Sequence, residues 1–233
     1  MEIMLALQKS FIEADNFDWT PALHNAIKHI KHSPIASAQH MLAADYAHNA
    51  GMTGTRDEHI EKLRKIESNT VLANSMEAQY CLDDDKASKI FTILRPEEIS
   101  ELGDISTLAQ AYLATENVEG LEETLLKLHT HSSKAAEIQI TVRESLVWLI
   151  NYYNNNSQAG PLTKLWKPYQ EHIKSNQDLL HSYVRALCKN QCDILAEQII
   201  KTELSSNWDE TLIQYYGTLN ICLLYTSPSP RDS

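Results

Sequence analysis

The chain has 233 residues, 43% hydrophobic and 7% aromatic, with six glycines and seven prolines. That is enough apolar side chain for a core, and the scarcity of helix breakers and β-branched runs points to an all-α protein. The formal charge is −11, and between Asp83 and Glu123 eleven acids face three bases; such a surface repels phosphate, which excludes nucleic acid as a partner and argues against docking on an anionic membrane.

The N-terminal half predicts helical hairpins. Met1 to Asp15 reads as a helix with Met4, Leu5, Phe11 and Ile12 on its apolar side. Thr20-Pro21 predicts a new helix, with Thr as N-cap and Pro at the first helical position, running to about Lys31. Ser33-Pro34 repeats the signal before a helix rich in small residues that ends near Gly51. Thr55-Arg-Asp-Glu58 reads as a capping box, followed by Ile60, Leu63 and Ile66 at helical spacing.

A third pair of helices is expected over 70–81 and 84–94, with Arg95-Pro96-Glu97-Glu98 opening a short helix or turn. A fourth is expected over 104–115 and 118–130. Ala87 and Leu121 lie 34 residues apart in the second helices of these pairs, and Ala111 precedes Leu121 by ten. A helical pattern over 133–154 is long enough to pack against two neighbouring units. Asn154 to Ser157 and Gly160-Pro161 then predict an exposed loop.

The stretch from Leu162 to Leu219 reads as helix, turn, helix, turn, helix. Leu179, Leu180, Tyr183, Val184 and Leu187 recur at helical spacing, as do Ile194, Leu195, Ile199 and Ile200 after the turn. Ala186 precedes Ala196 by ten residues, repeating the earlier step. Two amphipathic helices with a small residue in each fit a tetratricopeptide (TPR) unit, where small residues let backbones approach. The predicted fold is therefore an α-solenoid of TPR-like helical hairpins. The expected divisions are 1–155, an N-terminal array ending in a long helix; 156–219, C-terminal TPR-like helices; and 220–233, a disordered or non-native tail, since ICLLYTSPSPRDS matches neither pattern.

The same residues carry a resemblance. The Trp166-Lys167 helix start, LLHSYVRAL at Leu179 to Leu187, Ala-Glu-Gln-Ile-Ile at Ala196 to Ile200, and Trp208-Asp209-Glu210 resemble the proteobacterial HemY family, more weakly from Leu5 to Leu219. The resemblance implies a non-enzymatic TPR scaffold associated with haem and porphyrin biosynthesis. It implies protein partners among the late haem-biosynthesis enzymes, at the cytoplasmic side of the bacterial inner membrane. HemY-like proteins carry membrane helices before the TPR region. This sequence has no ~20-residue apolar span and no signal peptide, so it is expected to be a soluble fragment, its membrane link residing in N-terminal helices absent from the chain. The alternatives are a generic TPR adaptor with another partner, favoured by a groove of Lys, Arg and Asn that clamps a peptide carboxylate, and a haem or porphyrin carrier, requiring an apolar pocket with a convergent His or Tyr.

No catalytic or metal-binding set emerges, and no cofactor is expected. Glycine-rich phosphate loops, GxSxG, HExxH and CxxCH are missing, which excludes the flavin-dependent oxidase that shares the HemY name. Ten histidines, among them His24, His29, His32, His40 and His48, read as scattered surface residues, and His129 and His131 as helix-end residues. Cys81, Cys188, Cys192 and Cys222 read as reduced, small hydrophobes, without zinc spacing. Glu97-Glu98 and Glu122-Glu123 point about 100° apart on a helix and read as solvated charges. Trp19, Trp148, Trp166 and Trp208 are expected to pack between helices, and one tyrosine of each pair, Tyr152-Tyr153 and Tyr215-Tyr216, to be buried.

Overall fold

A computed structural model describes residues 2–66, 70–130 and 135–220. The expectations for His131, Cys222 and the tail after Asn220 fall outside them. The described residues are all-helical, with no strand, and none of their helices is long and apolar enough to cross a membrane.

The chain forms two compact units, Met1–Thr115 and Glu116–Ser233. The first holds α1 (Glu2–Asp15), α2 (Trp19–Ile27), α3 (Ala36–Asn49), α4 (Thr53–Lys65), α5 (Thr70–Asp83), α6 (Ala87–Ile93) and α7 (Leu102–Ala114). Each of α1 to α6 packs on the next, and α7 packs on α5 and α6. The second holds α8 (Val118–Thr130), α9 (Ala136–Asn155), α10 (Ala159–Lys164), α11 (Trp166–Lys174), α12 (Gln177–Lys189), α13 (Asp193–Ser206) and α14 (Glu210–Tyr216). The long α9 packs against α8, α10 and α12. The expected loop at 154–161 lies inside this unit and is short: α9 runs to Asn155, α10 begins at Ala159, and Gly160-Pro161 fall in the first turn of α10.

A repeat is written into the helix starts. α2, α4 and α6 begin at Trp19, Thr53 and Ala87, and the helices before them, α1, α3 and α5, end at Asp15, Asn49 and Asp83, each step being 34 residues. The turn after every odd helix of α1–α9 and after α12 holds one residue in the left-handed region: Phe17 (φ 62°), Gly51 (72°), Asp85 (57°), Glu116 (55°), Ser157 (54°) and Gln191 (58°). The next residue's N–H reaches back to close the helix, as Asp18 to the Glu13 carbonyl at 2.9 Å, Met52 to Ala47 at 2.8 Å, Lys86 to Cys81 at 2.7 Å, Gln158 to Tyr153 at 2.8 Å and Cys192 to Leu187 at 2.9 Å. One turn geometry thus satisfies the orphan carbonyls of five helices.

These turns move several predicted helix starts. Because Asp18 and Met52 flank α2 and α4, Thr20-Pro21 and Thr55 lie one to three residues inside their helices, and neither expected cap forms. Glu58 pairs instead with Lys62, one helical turn on. α2 stops at Ile27, and a short 3-10 turn, Ile30–His32, leads to Ser33, whose hydroxyl accepts the Ile35 N–H at 3.2 Å. Ala87 and Leu121 are both buried, yet Ala87 opens α6 while Leu121 lies one turn inside α8, so their 34-residue separation is not the repeat register.

Small residues mark the close contacts. Ala22, Ala26, Ala43 and Ala47 are fully buried with Tyr46 where α2 meets α3. Ala78, Ala111 and Ala196 are fully buried, and Ala186 nearly so. In α12 all five expected apolar positions are buried; in α13 Ile199 and Ile200 are, but Ile194 is 74% exposed. α1 buries Ala6, Leu7 and Ser10 and leaves Met4, Leu5, Phe11 and Ile12 exposed, the reverse of the expected side. Both sides of α1 carry apolar residues, and its packing on α2 selects the smaller ones, which permit closer approach.

Candidate functional site

The polar chemistry of the first unit gathers on α3, α4 and α5. His40 and His48 lie two turns apart on α3, with Asp45 beside them; Arg56 and His59 come from α4; Tyr80, Asp83 and the adjoining Asp84 come from the end of α5. The repeat shows what is unusual here. Where the second hairpin has His40, His48, Arg56 and His59, the first has Ala6, Ala14, Ala22 and Asn25, and the third has Asn74, Leu82, Ile90 and Ile93. One repeat has placed four cations or imidazoles at positions its neighbours fill mainly with small or aliphatic residues.

Arg56 is buried and bonded through Nε and Nη1. Its Nη1 donates to Asp84 at 3.0 Å and to His48 Nδ1 at 3.2 Å, and its Nε to Asp57 at 2.8 Å. Since guanidinium only donates, His48 Nδ1 must be unprotonated; the ring proton sits on Nε2, which faces Asp83 at 3.2 Å. Tyr80 stacks on His48, lies under Arg56, and donates its hydroxyl to Asp45. Burial opposes the Arg56 charge, but the Asp57 and Asp84 carboxylates outweigh it and raise its pKa. Hydrogen bonds from Lys86 and Arg56 hold Asp84 down at about 2. Burial raises Asp45, against the bond from Tyr80, and burial together with Asp45 raises the Tyr80 phenol.

One turn away, His40 Nδ1 meets His59 Nδ1 at 2.8 Å. One ring donates and the other accepts, so at most one of these nitrogens carries a proton. Burial, the neighbouring His40 and Lys62 lower His59 to about 4, and burial with Lys62 lowers His40. These histidines are therefore a packed pair rather than scattered surface groups. In the second unit His129 faces His172 at 3.5 Å, and His181 bonds Asp209 at 2.6 Å, so further histidines join helix to helix. Among the described residues no group of three His, Cys, Asp or Glu side chains could hold a metal ion.

The network ties α3, α4 and the turn after α5 together through side-chain bonds, as a brace does. The open feature is a groove of about 710 Å³ beside it, lined by the end of α4, the outer side of α5 and the segment leading into α7. Val71, Ile93 and Ile99 supply apolar surface, and Arg64, Asn74 and Arg95 also line it. Both cations are already paired. Arg64 donates to Glu61, Glu77 and Asn74, and Arg95 reaches Glu98 at 3.2 Å.

Other expected residues disperse. Trp166 stacks on buried Tyr183 at 5.8 Å, with Lys174 5.5 Å over its ring, but Trp208 is 85% exposed. Tyr153 is buried and donates to Glu122 at 2.6 Å, so that carboxylate is engaged rather than merely solvated; Tyr152 stacks on Trp148. Tyr215 is half-buried and Tyr216 exposed. Cys81, Cys188 and Cys192 are buried or half-buried, and burial raises all three thiols. Sequence reading missed Arg56, His59, Tyr80 and Asp84; aligning the chain on itself at 34 residues would have singled out Arg56 against Ala22 and Ile90. No family model, curated protein or solved structure matches the chain.

Proposed function

We propose that this chain is the TPR-like part of a HemY-type scaffold, non-enzymatic, that mediates protein–protein contacts in haem and porphyrin biosynthesis beside the bacterial inner membrane. The observation carrying the scaffold reading is the 34-residue recurrence of the starts of α2, α4 and α6 and of the left-handed residue that closes the helix before each, at Phe17, Gly51 and Asp85. A 34-residue helix–turn–helix is the period of TPR arrays, which present helix faces to peptides and partner domains. The haem assignment rests on the resemblance over residues 162–219. The late haem-biosynthesis enzymes are the proposed partners.

The test is affinity capture from a haem-synthesising bacterium with this chain as bait, with haem and protoporphyrin titrated in parallel. Recovery of ferrochelatase or a protoporphyrinogen-oxidising enzyme is the expected result. Unrelated partners with no Soret shift would overturn the haem assignment and leave an adaptor with another partner. A saturable Soret shift without protein partners would replace the scaffold with a porphyrin carrier.

A further inference from the structure

We infer that the groove between α5 and the segment entering α7 binds an extended basic peptide segment of a partner, seating one Lys or Arg side chain on Asp104. The groove lies wholly within the first unit, and the inference stands independently of any role in haem metabolism.

Charge is the first argument. The groove's two cations are consumed internally, Arg64 by Glu61 and Glu77 and Arg95 by Glu98. Two acids of its lining, Glu101 and Asp104, have no cationic partner among the described residues. The net field in the groove is therefore negative and uncompensated.

Asp104 is the second and independent argument. It is only 7% exposed, lines the groove, and has no hydrogen bond or ion pair to its carboxylate among the described residues. Its oxygens are not sealed from water, since Gln39 Oε1 is the one fully buried side-chain polar atom without a partner among the described residues, but a carboxylate so largely covered gives up part of its hydration at some cost. Its place in the first turn of α7 offsets part of that cost, since the helix dipole there amounts to about half a positive charge. A guanidinium or ammonium from outside would supply the rest through a charge-assisted bond.

Shape selects the ligand class. Val71 is 62% exposed on α5, and Ile93 and Ile99 lie half-buried on the facing segment. Apolar surface flanking a carboxylate fits a chain alternating aliphatic and basic side chains. A free carboxylate terminus would meet Glu101 and Asp104 and be repelled.

The probe is a fluorescein-labelled, acetylated and amidated peptide of alternating valine and arginine, with a valine–glutamate peptide as its counterpart. Fluorescence anisotropy is read on the full chain, on Asp104→Asn, on Val71→Ser, and on Glu119→Gln, which removes the same charge from an exposed site on α8. Saturable binding of the arginine peptide is expected with wild type and Glu119→Gln. Affinity should fall about tenfold in Asp104→Asn and measurably in Val71→Ser, with no binding of the glutamate peptide. Equal weakening by Asp104→Asn and Glu119→Gln, absence of saturable binding, or equal binding of the glutamate peptide would overturn the inference. If Asp104→Asn loses its helical circular dichroism, amide shift mapping on wild type decides: perturbations centred on Val71, Ile99 and Asp104 support the groove, and a diffuse pattern refutes it.

Discussion

The Arg56 guanidinium meets the Asp84 carboxylate at 3.0 Å across 28 residues of chain, joining α4 to the turn that follows α5. The Arg56 side chain is 8% exposed and that of Asp84 19%, so the pair works largely out of water. Removing Arg56 alone leaves Asp84 and His48 without their shared donor. Arg56→Ala should therefore destabilise the first unit by about 3 kcal/mol. Asp57→Asn, at a carboxylate 64% exposed, should change stability by less than about 1 kcal/mol. Urea unfolding of both variants checks this; equal costs would mean that Arg56 acts through packing alone.

The His40–His59 pair makes stability depend on pH in mildly acidic solution. His59 falls from 6.5 to about 4 in the folded chain, and His40 is also lowered. Above the unfolded value both states are neutral and the pair contributes in full. Below 6.5 the unfolded histidines take up protons that the folded ones resist, so stability is lost as pH falls from 6.5 towards about 4. Denaturation midpoints across that range should drop in wild type and drop less in His59→Asn, the residue type the first repeat has at Asn25. Parallel slopes would remove the pair from the account.

The left-handed turns carry a different cost. Only Gly51 of the six uses glycine, so Ser157 and Gln191 hold an L side chain at φ 54° and 58°. Ser157→Gly and Gln191→Gly should each stabilise by about 0.5–1 kcal/mol, and Gly51→Ala should destabilise by about 1 kcal/mol. Thermal melts of the three variants give the signs directly.

Trp166 and Trp208 should separate cleanly. Trp166 stacks on buried Tyr183 with an interplanar angle of 6°, and Trp166→Ala should cost about 3 kcal/mol. Trp208→Ala, at a side chain 85% exposed, should stay within about 0.5 kcal/mol of wild type. Chemical denaturation of each variant measures the contrast.

Much of the fold was legible because helical periodicity and small residues are local signals. The buried residues of α12, the length of α9 and the burial of Ala87, Ala111 and Ala196 follow from spacing alone. Helix starts were less legible. Thr20 and Thr55 look like caps and Gly160-Pro161 like a loop, yet the left-handed residue before each helix already fixes where it begins. That conformation is held at Phe17, Asp85 and Gln191 by the reach of the next N–H to the preceding helix, and no residue type announces it.

By itself the sequence determined that the chain is helical, acidic and paired into hairpins, since these depend on composition and on residues three or four apart. Which side of α1 faces α2 was decided by packing, because Leu5 and Leu7 are equally apolar and only one side fits closely. The brace was decided there too. His48, Arg56 and Asp84 have no local relation to one another; they share charge and hydrogen bonds because packing brings groups up to 28 residues apart within hydrogen-bonding distance, where burial makes leaving any one unpaired costly.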